Sequence, residues 1–170
     1  MFICLFCNFI FQKSYDMKSK NGYKKILKAL GPCGLNCEKC FANASGGIKY
    51  HSKKLKELLG NFDIYAERFI TLLDEPKFRH YPVFKLMLDY FANVNCQGCR
   101  AESCMLFQNC GVKDCYKVKG VDFCFQCNEF PCVKTNFDDH FKQRWIKINQ
   151  RMLEAGVETY YKEIKDKPRY

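Results

Sequence analysis

The sequence predicts a mainly α-helical protein with a helical body, a loop-rich, cysteine-rich lobe and little or no β-sheet. Three observations support this prediction. Apolar residues recur at helical spacing in six segments, and no alternating strand pattern is longer than about four residues. Eight of the thirteen cysteines lie within residues 96–132. With 170 residues, 48% of them hydrophobic, the chain has enough apolar surface for one packed domain.

Breaking and capping signals mark the ends of the predicted helices. Gly31-Pro32 stops the first helix, and Pro82 suits a first helical turn, where its missing N–H costs no hydrogen bond. Asp138 stands at the positive end of the longest helix, and Gly156 ends it. The predicted helices span residues 23–30, 48–60, 62–73, 83–94, 138–156 and 157–164.

Three sets of apolar side chains are predicted to form the core. Two of them repeat every three or four residues on one side of a helix, as in helices packed against a core. The phenylalanines of the cysteine lobe are expected to pack together as a small core of their own. The sets are Phe84, Met87, Leu88, Phe91 and Val94; Phe141, Trp145, Ile148 and Met152; and Phe107, Phe123, Phe125 and Phe130.

Residues 1–16 are predicted to be an over-extended or disordered N-terminus. The apolar run MFICLFCNFIF has no basic residue before it and no small-residue cleavage site after it, and it is too short to span a bilayer. Translation from Met17 would remove it, which would leave Cys4 and Cys7 without a role. We therefore expect a single cysteine-rich domain over residues 17–170, located in the reducing cytoplasm and not on a membrane.

The formal net charge is +10, and residues 1–40 carry seven lysines against Asp16 and Glu38. Thiolates that bind a metal would lower this charge. The simpler interpretation is a solvated basic surface. The more specific interpretation is affinity for an anionic partner such as nucleic acid.

Two Cys-x2-Cys pairs, Cys96/Cys99 and Cys124/Cys127, predict a metal-binding lobe over residues 96–132. Such a pair lets two thiolates reach one ion from a single turn, and two pairs complete the tetrahedron that zinc prefers. The partition stays open, because the other cysteines of the lobe can form a second site or exchange partners with the first. These are Cys104, Cys110, Cys115 and Cys132.

Cys33, Cys37 and Cys40 form a second group that lacks a fourth donor. We expect the lobe to supply that donor, which would join the two groups into one structure. The same Cys-x3-Cys-x2-Cys spacing holds a [4Fe–4S] cluster in radical S-adenosylmethionine enzymes. However, Lys39 stands where those enzymes commonly have an aromatic residue, and the helical remainder offers no βα barrel. The bacterial ferredoxin spacing is also absent.

The sequence shows no catalytic constellation. His51, His80 and His140 are isolated and are interpreted as surface or core residues. No base is placed to activate one particular thiol, and no glycine-rich phosphate loop is present. Sites lined only by cysteine are typical of closed structural zinc, whereas catalytic zinc keeps an open position.

Three segments in this order, PCGLNCEKCFA, NCQGCR and NCGVKDCYKVKGVDFCFQCNEFPC, resemble the bacterial and archaeal family known as domain of unknown function 3795. The resemblance runs from about Cys33 to Phe137 and implies a small cysteine-rich domain presumed to bind metal, without catalytic residues. Cys104 is spaced more loosely from Cys110 than the paired cysteine expected there. The matching positions are Cys33, Cys37, Cys40, Cys96, Cys99, Cys110, Cys115, Cys124, Cys127 and Cys132.

Together these observations favour a zinc protein with two or more structural ions, acting as a binding or scaffold module and not as an enzyme. An iron–sulfur redox or sensor protein and a zinc-knuckle-like nucleic-acid-binding protein are the alternatives. The candidate ligands are Cys33, Cys37, Cys40, Cys96, Cys99, Cys104, Cys110, Cys115, Cys124, Cys127 and Cys132.

Overall fold

A computed structural model describes residues 20–101 and 104–170 of the chain. Over these residues the chain forms α-helices and short 3-10 helices, with two isolated β-bridges and no longer strand. The predicted mainly α class is confirmed. The α-helices are α1 (Lys20–Ala29), α2 (Gly47–Leu59), α3 (Phe62–Leu72), α4 (Tyr81–Asn93), α5 (Val112–Val118), α6 (Asp139–Ala155) and α7 (Val157–Ile164). The 3-10 helices are η1 (Pro76–His80), η2 (Cys99–Ala101) and η3 (Cys124–Gln126).

The predicted helix ends agree with the observed ones to within a few residues. The Asp138 carboxylate caps α6 by accepting a hydrogen bond from the Phe141 backbone N–H at 2.9 Å. Pro82 lies in the first turn of α4, and Gly156 ends α6 with a φ of 81°, a left-handed conformation that favours glycine. The predicted segment at residues 1–16, with Cys4 and Cys7, lies outside the described residues.

The main hydrophobic core lies between α1, α6 and α7. Leu30 and Met152 are each only 1% exposed there, and Tyr160 packs beside them. Phe123 from the cysteine lobe is fully buried in the same cluster. The helical body and the cysteine lobe therefore share one core.

The expectation of a separate phenylalanine core in the lobe is wrong. The Phe107 ring stacks on Phe141 of α6 with centroids 4.7 Å apart, and Phe130 meets Trp145 of α6 edge-on at 4.9 Å. The lobe is too irregular to enclose its own rings, so they use the apolar face of α6 instead.

The segment from α2 to α4 packs mainly on itself. Helix α2 lies against α4, and α3 lies against η1. Leu88 and Val94 are buried, as predicted, but Phe84 and Met87 are 44% and 49% exposed, so their assignment to the core is wrong. The α2 contact covers only one side of α4, whereas the sequence stripe is wider than that contact. No helix of the described residues is both long and apolar enough to cross a membrane.

Candidate metal centre

The Cys33–Cys40 segment lies beside the start of the cysteine lobe. The Cys96 backbone N–H donates to the Ala42 carbonyl at 2.9 Å, and the Ala44 N–H donates to the Cys96 carbonyl at 2.9 Å. These two bonds form the isolated parallel bridge between the segments. The predicted proximity of the two cysteine groups is thus confirmed, although the two segments are more than fifty residues apart in the sequence.

Seven cysteines line a first cavity of about 30 Å³, which we call the seven-thiol cavity. The sulfurs of three of these cysteines lie close to Gly31. A Cβ added at Gly31 would lie 3.3 Å from the Cys37 sulfur, 3.5 Å from the Cys33 sulfur and 3.8 Å from the Cys99 sulfur. A larger residue at position 31 would therefore crowd the thiols. The cysteines of this cavity are Cys33, Cys37, Cys40, Cys96, Cys99, Cys104 and Cys110.

Hydrogen bonds between thiols divide protons unevenly within the seven-thiol cavity. The bond with Cys99 lowers the pKa of Cys37 to about 6 and that of Cys104 to about 5. The same two bonds, that with Cys104 first, raise the pKa of Cys99. Burial raises the pKa of Cys33 and of Cys110. Cys37 and Cys104 are therefore the thiols poised to be thiolates, the form that binds metal.

Alkylation at different pH values tests this division of protons. In reduced, metal-free protein treated with iodoacetamide, Cys104 should stay reactive until the pH falls through about 5 and Cys37 until it falls through about 6. Cys110 is also partly exposed, but its raised pKa should confine its reaction to more alkaline pH. Mass spectrometry of the peptides measures each site. Equal pH midpoints for Cys104 and Cys110 would contradict the assignment.

The other four cysteines line a second cavity of about 30 Å³, which we call the four-thiol cavity. Cys115 comes from α5, Cys124 opens η3, and Cys127 and Cys132 follow it. The η3 turn is fixed by the Gln126 side-chain oxygen, which accepts from the Asp122 and Phe123 N–H groups at 2.9 Å each.

Gly111 closes one wall of the four-thiol cavity. Its N–H donates to the Thr135 carbonyl at 3.1 Å, and a Cβ at this position would lie only 1.8 Å from the Lys134 carbonyl oxygen. The backbone that follows Cys132 can therefore reach α5 only because residue 111 has no side chain.

The sequence left the partition of the cysteines open, and in the structure the pairs Cys96/Cys99 and Cys124/Cys127 line different cavities. Cys104, which fits the family pattern least closely, lies in the seven-thiol cavity and hydrogen-bonds to Cys99. None of His51, His80 and His140 lines either cavity.

Cys33 lies between the two groups. It is 6% exposed, and its thiol interacts electrostatically with Cys37 and Cys110 of the seven-thiol cavity and with Cys124 of the four-thiol cavity. The Cys124 N–H also donates to the Pro32 carbonyl at 3.0 Å. The N-terminal cysteine segment thus contacts both groups.

Asn149 ties both cysteine segments to α6 and was not singled out from the sequence. Its side chain is fully buried, and its Nδ2 donates to the Cys33 carbonyl at 3.0 Å and to the Trp145 carbonyl at 2.9 Å. Its Oδ1 accepts from the Phe125 N–H at 3.0 Å. Its place among the apolar residues of α6 was the one available signal, since a polar residue on a core-facing side of a helix needs partners.

Arg100 is a second residue that the sequence did not indicate. Its Nε donates to the Leu30 carbonyl at 3.1 Å, and an Nη donates to the Asp122 carbonyl at 2.5 Å. The guanidinium also lies 5.0 Å from the centre of the Phe123 ring and 5.2 Å from that of Tyr116. It therefore holds the end of α1 against the turn before η3.

The C-terminal tail covers the Cys37–Cys40 turn. An Arg169 Nη donates to the Asn36 carbonyl at 2.5 Å, and Arg169 lines the seven-thiol cavity. The Tyr170 hydroxyl lies 3.6 Å from the Cys40 sulfur and accepts from the Phe41 N–H at 3.4 Å. Among the described residues, the only charged side chain that lines this cavity is thus a cation, which favours thiolates.

The thiols are not arranged as a closed single-ion site. Among residues 20–101 and 104–170, no three Cys, His, Asp or Glu side chains are placed so that they could hold a metal ion as they stand. The donor chemistry nevertheless fits a soft or borderline metal, because thiols surround both cavities.

Fold and site together define a mainly helical protein whose cysteine-bearing loops share a core with its helices. A family model, described as protein of unknown function (DUF3795), matches residues 29–137, and the chain belongs to this family. The matched region contains all eleven cysteines of the described residues. No curated protein and no solved structure matches the chain.

Proposed function

We propose that this protein binds metal through the thiolates of its two cysteine groups and serves as a binding or scaffold module. One observation carries the proposal. Each of the eleven cysteines in the described residues lines one of two small cavities. Cysteines that served only as small core residues would not be expected to gather around shared cavities, whereas metal ligands must.

Zinc is the first candidate. It prefers thiolate and imidazole ligands in tetrahedral sites, and the cavities are lined by cysteine without histidine. Since no three ligands are preassembled, binding is expected to draw the sulfurs toward the cavity and to order the surrounding loops at the same time. The metal would then hold the loops in the shape that a partner recognises.

An iron–sulfur cluster is the second candidate, and the wide separation of the thiols around each cavity favours it. Bridging sulfides and several irons span a wider gap than one ion, so thiols arranged around a cavity, and not around one point, suit a cluster. Its role would be electron transfer or sensing. Lys119 and Lys134 at the four-thiol cavity would compensate the negative charge of either kind of centre.

Elemental analysis of protein purified without oxygen tests the proposal. We expect at least one zinc per chain and no acid-labile sulfide. Iron with sulfide and an absorption band at roughly 400 nm would show that the centre is an iron–sulfur cluster and not zinc. Protein that is folded and reduced but contains neither metal would overturn the proposal.

A further inference from the structure

We propose that Cys115, Cys124, Cys127 and Cys132 form a metal centre of their own, with the indole N–H of Trp145 donating to its sulfurs. The proposal rests on the proposed function and specifies one of its two sites. The chemical class of ligand is a thiophilic metal held by four thiolates, as a single zinc ion or as a cluster.

The two cavities are separate in space. Among the described residues they share no lining residue. The wall between them includes Phe137 on the seven-thiol side and Trp145 on the four-thiol side, whose rings meet edge-on with centroids 5.9 Å apart. These rings therefore form part of the wall between the cavities, and each cavity presents its own set of thiols.

Trp145 supplies an independent indication that the four-thiol cavity holds a ligand. The residue is 1% exposed and lines the cavity, yet its Nε1 has no hydrogen-bond partner among the described residues. Leaving such a donor buried and unsatisfied destabilises the folded protein. The indole nitrogen lies near Cys124, a cysteine of the same cavity. A metal-bound thiolate would give the indole the acceptor that it lacks.

The charges around the four-thiol cavity also suit an anionic centre. Four thiolates around a divalent ion carry a net charge of about −2. Lys119 and Lys134 line the cavity, and both bind the exposed carboxylate of Glu129.

A matched pair of serine variants tests the separation. Cys115→Ser removes a ligand of the four-thiol cavity, and Cys104→Ser removes one from the seven-thiol cavity; both cysteines are partly exposed. Each full-length variant is purified without oxygen and analysed for zinc, iron and sulfide. We expect Cys115→Ser to lose one centre and keep the other, and Cys104→Ser to keep the centre that Cys115→Ser lost.

Trp145 is the only tryptophan and lines the four-thiol cavity, so its fluorescence reports directly on that cavity. Stepwise removal of metal by a chelator should change the emission of wild type and Cys104→Ser, but not that of Cys115→Ser. If Cys115→Ser does not fold, metal release from the wild-type protein still tests the proposal. Metal release should then occur in two phases, only one of them accompanied by the fluorescence change.

The indole donor has its own variant. Trp145→Phe keeps an aromatic ring but removes the N–H, and loss of such a supporting hydrogen bond typically weakens metal binding about 10- to 100-fold. Because this variant has no tryptophan, its metal release is measured directly, and the phase of the four-thiol cavity is the one that Cys115→Ser lacks. We expect the loss only in that phase, with the other phase as the internal control. An unchanged affinity in that phase would rule out the donor role of Trp145.

The outcomes distinguish a failure of the proposed metal binding from a failure of the separate four-thiol centre. Wild type without metal would overturn the proposed function and this proposal with it. Suppose that the wild type contains metal, but that both serine variants lose all of it or that every sample releases its metal in a single phase. The protein would then bind metal, but the proposal of a separate four-thiol centre would be wrong.

Discussion

Removing the metal with a chelator should lower the melting temperature of the protein by at least roughly 8–16 °C. A ligand present at a thousand times its dissociation constant stabilises the folded state by about 4 kcal/mol. For a chain of this size, each kcal/mol corresponds to roughly 2–4 °C. The loss should be large because most of the cavity-lining cysteines lie in loops and short 3-10 helices, whereas α1, α6 and α7 also pack directly on one another.

The measurement is a thermal melt followed by Trp145 fluorescence, in reductant, with metal content determined on the same sample. The matched control is the same chelator saturated with zinc beforehand. Helical circular dichroism should persist after removal, and adding zinc back should restore the transition. A melting temperature that does not change once the metal is fully removed would contradict a structural role for the ion.

Asn149→Leu should lower the free energy of unfolding by about 2–4 kcal/mol. Leucine fills a similar volume but cannot donate to the Cys33 carbonyl or accept from the Phe125 N–H. Both backbone groups would lose their partner in a region closed to water, since Asn149 is fully buried. The loss should appear in the stability of the metal-bound protein, measured by urea unfolding.

Gln150→Leu is the matched control for this variant. Gln150 is the next residue of α6 and is exposed, so its replacement should change the free energy of unfolding by less than about 0.5 kcal/mol. An Asn149→Leu variant as stable as Gln150→Leu would show that the buried amide does not hold the two cysteine segments on α6.

Much of the helical fold was predictable because its signals are local. Asp138 begins α6, Gly156 ends it, and Pro82 lies in the first turn of α4, each for reasons that depend on a few neighbouring residues. The exposure of Phe84 and Met87 was not predictable in this way. A helical stripe shows which residues share a face, but not how much of that face a neighbouring helix covers.

The site was predictable in its residue types but not in its partition. Cys-x2-Cys spacing shows which two thiols can act together, so Cys96 with Cys99 and Cys124 with Cys127 were evident. Which pairs share a cavity depends on contacts between distant segments, such as the bond from the Cys124 N–H to the Pro32 carbonyl. Asn149 and Arg100 donate hydrogen bonds to backbone carbonyls. Every residue has a backbone carbonyl, so the sequence does not indicate which ones these side chains contact.

We propose that metal occupies the two thiol-lined cavities. Anomalous diffraction at the zinc and iron absorption edges, from crystals of protein purified without oxygen, tests it most directly. We expect a peak in each cavity, with zinc about 2.3 Å from its cysteine sulfurs. Well-ordered cavities without an anomalous peak, their cysteines free or joined in disulfides, would contradict it.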